Sequence, residues 1–537
     1  MQLFFRLPVV GQLLKELFVP GRVRYQRFGD IEDRRRRLRA QMLALATVVS
    51  GVTYLSWLWS ALNWAHPIIA GAFVGAEVGC FLLFVFAAAG AWRLRFKPEE
   101  ATLVAEPKSV DVLITTCGEP LHVVERTIRA AKEIAWRGPL TVYVLDDKGS
   151  PEVQELARRY GTTYRCRATS GYPTGDTKAG NLNFGLAISS SEYVLVLDAD
   201  QVCTPAIVER LAPYLTIPKV AFVQSKQSFL VPKTDPFYCQ DLVFYNSLQL
   251  AFDAGDMTLS CGSGVLYRRE ALNDIGGFVT WNLVEDLTTS YELHAKGWKS
   301  LYYPYALAHG LAPDNIAGVY KQRGQWALDT MRLFFWRCPL VRRTLAWRAR
   351  INYTVIALSY MTAGFLAPLF YAIPLWSYAT GHGVLVGDVL LQFVLWRIIY
   401  FLTMTLALRW LFRGHEPGKQ FQMLVGLFPV YAQNTIRALF YRKSKPGYHV
   451  NNASGRRKHT PSWLVLLPQL TLLVANVVGP FAALLLGTAS PDIIAVNACV
   501  SALAIWSLSH VCLAAFERKT WQSDRLPSRF YATNVEY

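Results

Sequence analysis

Long uncharged runs alternate along this chain with one broad stretch of mixed character. Met42–Leu62 carries no charged residue, and Ile68–Trp92 is interrupted only by Glu77. Asn352–Thr380, Ser462–Ser490 and Ile493–Phe516 contain no Asp, Glu, Lys or Arg, and Val389–Leu408 contains only Arg397. Each run reaches the ~20 residues with which a helix crosses a bilayer. The pattern predicts two spans before the mixed stretch and four after it. Within 98–326, short apolar runs alternate with polar, helix-like segments, as in an α/β domain. The predicted strands there are Val110–Thr115, Leu140–Leu145, Tyr193–Leu197 and Val220–Gln224. Residues 327–350 mix Phe334, Phe335 and Trp336 with arginines, and Gln420–Tyr441 is apolar on one side. Both read as helices lying in the membrane interface.

The predicted organisation follows in order. Residues 1–40 form an N-terminal segment, 41–97 two spans and 98–326 the soluble domain. An interfacial helix takes 327–350, two spans 351–411, and a second interfacial helix with a polar loop 412–461. Two more spans take 462–516, and 517–537 is a tail. The short loops 63–67, 381–388 and 491–492 lack Lys and Arg, whereas the opposite side is rich in both. By the positive-inside rule the domain and both ends are cytoplasmic.

Charge adds little beyond this. The 537 residues are 52% hydrophobic with net charge +17, and mean hydropathy is +0.21. Much of the basic excess flanks the spans, and no basic–aromatic module resembles a nucleic-acid fold, so no nucleic-acid partner is expected. The nine cysteines form no CxxC pair, as expected of a reduced compartment. No cleavable signal peptide precedes the first apolar run.

Candidate chemistry centres on Val194–Asp200. Four apolar residues read as a buried strand, and Asp198 and Asp200 follow at i and i+2, on one face of an extended backbone. Two oxygen donors at a strand's carboxyl end suit Mg2+ or Mn2+, but a solvated turn reads the same way. Other motifs carry similar pairs of readings. Thr116 and Glu119 lie in a strand-to-loop junction that can hold a nucleoside, or in an ordinary βα loop. Asp146 and Asp147 end a strand, as ribose or base acceptors or as a turn. Lys178 opens a helix, meeting a diphosphate or solvent. Cys261, Gly262 and Ser263 form a small-residue loop, a place of close ligand approach or a tight turn. Glu285 and Asp286 precede a helix, with Asp286 a general base or an N-cap. Gln322, Arg323 and Trp326 come last, Trp326 a sugar-stacking platform or a membrane anchor.

The series Asp146-Asp147, Lys178–Asn183, Asp198–Asp200, Ser260–Gly264, Val284–Asp286 and Gln322–Trp326 resembles, in order, that of the processive family 2 glycosyltransferases, the cellulose, chitin and hyaluronan synthases. The likeness covers roughly 105–330 closely and extends through the flanking spans. Tyr448, Val450 and Asn451, within Tyr448–Asn452, resemble the gating loop of cellulose synthases and tilt the comparison toward a β-glucan. Three features depart from the family. Val284 replaces Thr before Glu285. Gln325 replaces the Arg of Gln-x-x-Arg-Trp, leaving Arg323 or Arg332 to supply a charge to the diphosphate. The residues after Phe516 are too few for a cyclic-di-GMP-binding barrel, which keeps a mixed-linkage or β-1,3-glucan in view.

The resemblance implies an α/β nucleotide-sugar-binding (GT-A-like) cytoplasmic domain inserted in a multi-span α-helical membrane protein of the bacterial inner membrane. It implies an inverting enzyme that takes glucose from UDP-glucose and exports the growing polysaccharide through its own helices. Asp286 would be the base, beside Glu285. Asp198 and Asp200 would hold Mg2+ or Mn2+. Thr116, Glu119, Asp146, Asp147, Lys178, Asp198, Gln322 and Arg323 would bind the nucleotide sugar, and Trp326, Cys261, Gly262 and Ser263 the acceptor. A periplasmic or accessory export subunit would be a further partner, besides the lipid bilayer. The rivals are a UDP-GlcNAc-using synthase, a non-processive transferase acting on a lipid, and a non-catalytic membrane subunit on the same scaffold.

Overall fold

A computed structural model describes residues 34–93, 107–232, 234–387, 389–412, 417–442 and 461–516. The chain enters through α1 (Arg34–Ala61) and α2 (Pro67–Gly90), an antiparallel pair joined by a short loop. Both are long and apolar enough to cross a membrane, as are four later helices, six in all among the described residues.

The domain between them is built on one eight-stranded mixed sheet: β1 (Val110–Thr116), β2 (Leu140–Asp146), β3 (Thr163–Arg165), β4 (Tyr193–Asp198), β5 (Val202–Cys203), β6 (Val220–Leu230), β7 (Val265–Arg268) and β8 (Lys299–Leu311). Its order is β3-β2-β1-β4-β7-β6-β8-β5. The first four run parallel, and β7 is antiparallel to both its neighbours. Every residue of β1 is buried, as a central parallel strand covered on both faces requires. One face packs Val112, Ile114, Leu195 and Leu197. The other packs Leu113, Val194 and Val196 against α3 (Thr177–Ala187) through Leu182 and Phe184.

The four predicted strands are present, and β6 runs six residues beyond its predicted end. Its polar continuation, Ser225-Lys226-Gln227-Ser228, hides a strand from an apolar-run reading. Four strands were not predicted. Three are only two to four residues long. The fourth, β8, contains Pro304, which ordinarily argues against a central strand. The pairing skips it: Ser225 pairs with Tyr303 and Lys226 with Ala306, so Pro304 falls in a bulge.

After α4 (Glu285–Ala295) and β8 comes α5 (Ile316–Trp336). It corrects the predicted 327–350 interfacial helix. Asn315 caps its start by accepting from Gly318 N, which draws Gln322–Trp326 inside the helix. Trp336 ends it, a 3-10 turn follows at Pro339–Val341, and residues 347–350 already belong to the next span. That span comprises α6 (Trp347–Met361), a π turn at Thr362–Leu366 and α7 (Ala367–Thr380). Then come α8 (Leu390–Leu411), a short helix Pro417–Gly426, α9 (Phe428–Phe440), α10 (Leu467–Leu486) and α11 (Pro491–Phe516).

Two contacts show how the layers hold. Glu77 of α2 and Arg397 of α8 form an ion pair within the spans, and Arg397 also donates to Tyr54 Oη at 2.7 Å. Unpaired, either charge would be costly in lipid. At the domain side, α5 lies against α9. A Cβ on Gly324 would stand 2.9 Å from both Val430 Cγ2 and Asn434 Nδ2, so close approach demands glycine there.

Candidate active site

Four of the predicted motifs converge on one ammonium. Lys178, in the first turn of α3, holds its Nζ 2.6 Å from Asp198 Oδ1 and 3.0 Å from Glu285 Oε1. The same Nζ donates to Gly262 O at 2.7 Å. Burial alone would lower its pKa, but Asp198 and then Glu285 more than offset that and hold it well above the usual lysine range. Gly262 has φ +78°, and a Cβ there would lie 3.0 Å from Asp286 Oδ2 and 3.1 Å from Lys178 Nζ. Only glycine satisfies both the backbone and the space.

Asp198 and Asp200 do not share an extended face as predicted. Strand β4 stops at Asp198, whose carbonyl accepts from Gln201 N at 3.0 Å, so Asp200 lies in a turn. Burial, then repulsion from Asp198 and Glu119, pushes the Asp200 carboxyl up to about 7. Asp198 N donates to Ser263 Oγ at 3.0 Å, tying the acidic turn to the small-residue loop.

The N-cap reading of Asp286 does not hold. The cap position of α4 is Val284, and Asp286 sits within the first turn, accepting from Leu287 N at 2.5 Å. Its pKa is raised by burial and then by neighbouring Glu285, with Lys178 offsetting part of the effect. Glu285 is itself buried.

The β1 and β2 ends adjoin, Thr116 pairing with Asp146. Thr116 Oγ1 and Cys117 N donate to Glu119 Oε2 at 2.7 and 2.6 Å. Asp146 is consumed by its own loop, accepting from Lys148 N (2.9 Å), Ser150 N (2.7 Å) and Tyr164 Oη (3.0 Å). Asp147 receives a fork from Arg167, Nε at 2.7 Å and Nη2 at 2.6 Å. Arg167 also donates to Gly175 O and Thr177 O, fixing the approach to α3. No sequence motif pointed to Arg167, which follows a three-residue strand.

Sequence reasoning also missed the clamp on the 260–264 loop. Gln224 accepts from Cys261 N at 2.7 Å and donates to Ser263 O at 2.9 Å. Gln227 donates to Cys261 O at 2.9 Å, and Ser225 Oγ to Gly264 O at 2.7 Å. The one available signal was a pair of glutamines continuing an apolar strand.

The arginines offered for the Gln325 departure are engaged elsewhere. Arg323 donates to Asp241 Oδ2 at 2.8 Å and lies 4.8 Å over the Trp326 ring. Arg332, fully buried, donates to Asn282 Oδ1 (2.9 Å) and Tyr441 O (2.8 Å). Gln325 donates to Asp329 Oδ2 at 2.9 Å, and the same oxygen accepts from Val284 N at 2.7 Å. The substituted position thus braces the backbone just before Glu285. Gln322 is half-buried on the same helix as Trp326. Tyr448, Val450 and Asn451 lie outside the described residues.

On the reading of Trp326 as an acceptor floor, Arg323→Ala is expected to reduce acceptor-dependent turnover by ~10-fold through a released Trp326, leaving UDP affinity unchanged. Calorimetry with UDP beside acceptor titrations separates the two. A fall in UDP affinity alone would return Arg323 to the diphosphate.

A mixed sheet carrying an acidic cluster at the carboxyl ends of its central strands defines a domain of GT-A-like fold, flanked in the chain by helices long and apolar enough to cross a membrane. Residues 107–328 match the "Glycosyltransferase like family 2" model and residues 273–412 the "Cellulose synthase" model. These matches make the chain similar to family 2 glycosyltransferases over 107–328 and to cellulose synthases over 273–412. It is 28% identical over 466 residues to the UDP-forming cellulose synthase catalytic subunit of Pseudomonas fluorescens (strain SBW25), across 82% of this chain and 61% of that protein. The corresponding subunit of Komagataeibacter sucrofermentans is 30% identical, across 65% of this chain and 48% of that one. The chain therefore spans less than two thirds of either relative. Among solved structures, a mannosyltransferase from Pyrobaculum calidifontis in complex with GDP-Man and Mn2+ aligns with TM-score 0.48 at 16% identity, covering 70% of this chain and 98% of that one.

Proposed function

We propose that this protein is an inverting, processive glycosyltransferase that moves glucose from UDP-glucose onto a growing β-glucan. Its domain would face the cytoplasm of a bacterial inner membrane, and its helices would pass the polymer out. The observation that carries the reading is the convergence of Lys178, Asp198, Gly262, Glu285 and Asp286 on one point. In the reaction, Asp286 takes the proton of the acceptor hydroxyl as its oxygen bonds to the anomeric carbon. The bond from that carbon to the diphosphate breaks, and its electron pair leaves with UDP. One displacement from an α-linked donor yields a β linkage. Lys178 supplies positive charge beside the departing diphosphate. Trp326 gives the acceptor sugar an apolar floor.

A divalent metal fits the donors at the end of β4. Asp198 and Asp200 are hard oxygen ligands, and burial first, then repulsion from Asp198 and Glu119, raises the Asp200 pKa, a destabilised negative charge that a cation would relieve. Among the described residues no cluster of three or more His, Cys, Asp or Glu could hold a metal alone, so substrate oxygens would complete the shell. Such an ion supplies Lewis-acid stabilisation of the leaving diphosphate.

The test is linkage analysis of the product made by purified full-length protein in nanodiscs from a panel of UDP-sugars with Mg2+ or Mn2+. A β-linked glucan from UDP-glucose is expected, lost in excess EDTA and weakened in Asp200→Asn. Polymer from UDP-GlcNAc alone would replace the donor assignment. Undiminished synthesis in EDTA would remove the metal.

A further inference from the structure

A cleft of about 300 Å³ opens where α1, α2 and the start of α6 meet the catalytic domain. That volume is in the range of a small ligand site. None of its lining residues belongs to the motifs above. Its walls are apolar, formed by Val48 of α1 and Val85 and Ala88 of α2, and its floor is Ala251 and Ala254 of the domain. Its mouth is basic and aromatic: Trp92 and Arg93 follow the end of α2, while Trp347 and Arg348 begin α6. No carboxylate is among the lining residues.

The mouth is anchored. Arg37 Nε and Gln41 Nε2 both donate to Trp92 O, at 2.9 and 3.1 Å, which fixes the backbone next to Arg93. Arg348 spends one N–H on Ala254 O at 3.3 Å, and its guanidinium lies 5.3 Å from the Trp347 ring centroid. A guanidinium has five N–H donors, so others remain for a ligand. Around the cleft the outward face of α1 is apolar and exposed: Met42 is 60% and Leu45 56% accessible. A helix long enough to span a membrane would turn such a face to lipid, and the cleft beside it would be reached from the acyl chains.

An apolar trough reached from lipid, ending in two guanidiniums and two indoles, has the chemistry of one amphiphile. Trp rings favour the headgroup level. Arginine forks match phosphate oxygens, and basic pockets between spans hold anionic headgroups. We propose that this cleft binds an anionic glycerophospholipid from the leaflet on the domain side. An acyl chain lies between α1 and α2, and the phosphate meets Arg93 and Arg348. Because Ala251 and Ala254 form the floor, the lipid also joins the catalytic domain to its membrane helices.

The test uses delipidated full-length protein in detergent, titrated by native mass spectrometry. Phosphatidylglycerol is compared with phosphatidylcholine of the same acyl chains and with inorganic phosphate alone. One phosphatidylglycerol is expected to bind at least ~10-fold tighter than phosphatidylcholine, with no stable phosphate adduct. The double substitution Arg93→Ala, Arg348→Ala should weaken it ~10-fold and leave phosphatidylcholine unaffected. Ala89→Trp, on the accessible wall, should expel the lipid with both arginines intact; unchanged elution and melting temperature verify folding of each variant. Equal affinity for the two lipids overturns the proposal, as does wild-type retention of phosphatidylglycerol in folded variants. A phosphate adduct as tight as the lipid's would make this a small-anion site, and that also overturns it.

Discussion

Asp286→Asn is expected to abolish sugar transfer while leaving UDP binding intact. The side chain keeps its shape and its bond from Leu287 N, so the first turn of α4 should be undisturbed. What is lost is the ability to take a proton, and removing a general base typically costs ~10²–10⁴-fold in rate. The wild-type pH profile carries the same assignment. Burial and Glu285 raise the Asp286 pKa. The base must be deprotonated to act, so the rate should fall as pH drops through this raised value, well above the ~4 of an ordinary aspartate. Transfer rates measured against pH, with UDP calorimetry on the variant, check both parts. Near-wild-type turnover in Asp286→Asn would make the residue structural.

Lys178→Met is expected to be nearly as damaging, for a different reason. Its Nζ is paired with Asp198 and Glu285, and both Lys178 and Asp286 occupy the space that a Cβ on Gly262 would need. Each charge-assisted bond typically contributes ~1.5–3 kcal/mol. About a quarter of the side chain remains exposed, which places the loss toward the lower end and predicts ~10- to 100-fold weaker use of the UDP-sugar. A second readout separates function from folding. Lys178 lowers the Asp286 pKa, so without it the acid limb of the pH–rate profile should move to higher pH. A folded variant with reduced rate and an unmoved limb would show that Lys178 acts on the donor alone.

The departure at Gln325 changes meaning once the helix is seen. On the sequence it is a missing phosphate ligand, and the nearest arginines look like its replacements. In the fold, Gln325 belongs to a brace through Asp329 to Val284 N, one residue ahead of Glu285. Asp329 is fully buried and its carboxyl is pushed up to about 6, first by burial. Arg323 turns instead toward Asp241 and Trp326. Residues two apart on a helix do not share a face, so proximity in sequence was a poor guide to which side chain could stand in for another.

What the sequence determined by itself rests on local chemistry. A run of twenty apolar residues has few alternatives to a span, and the six predicted helices are the six long apolar helices of the described chain. Apolar runs with polar ends marked β1, β2 and β4, closing on Thr115-Thr116, Asp146 and Asp198, because buried parallel strands must be apolar and their polar ends must emerge at one edge. The tertiary structure alone decided which groups meet. Lys178, Asp198, Gly262 and Glu285 come from four separate segments and touch only because the sheet order sets β4 beside β7. The clamp of Gln224 and Gln227 on the 260–264 loop depends on a register that polar strand residues do not advertise. The direction of Arg323 depends on where Asn315 starts a helix, since one residue of shift turns every side chain by about 100°.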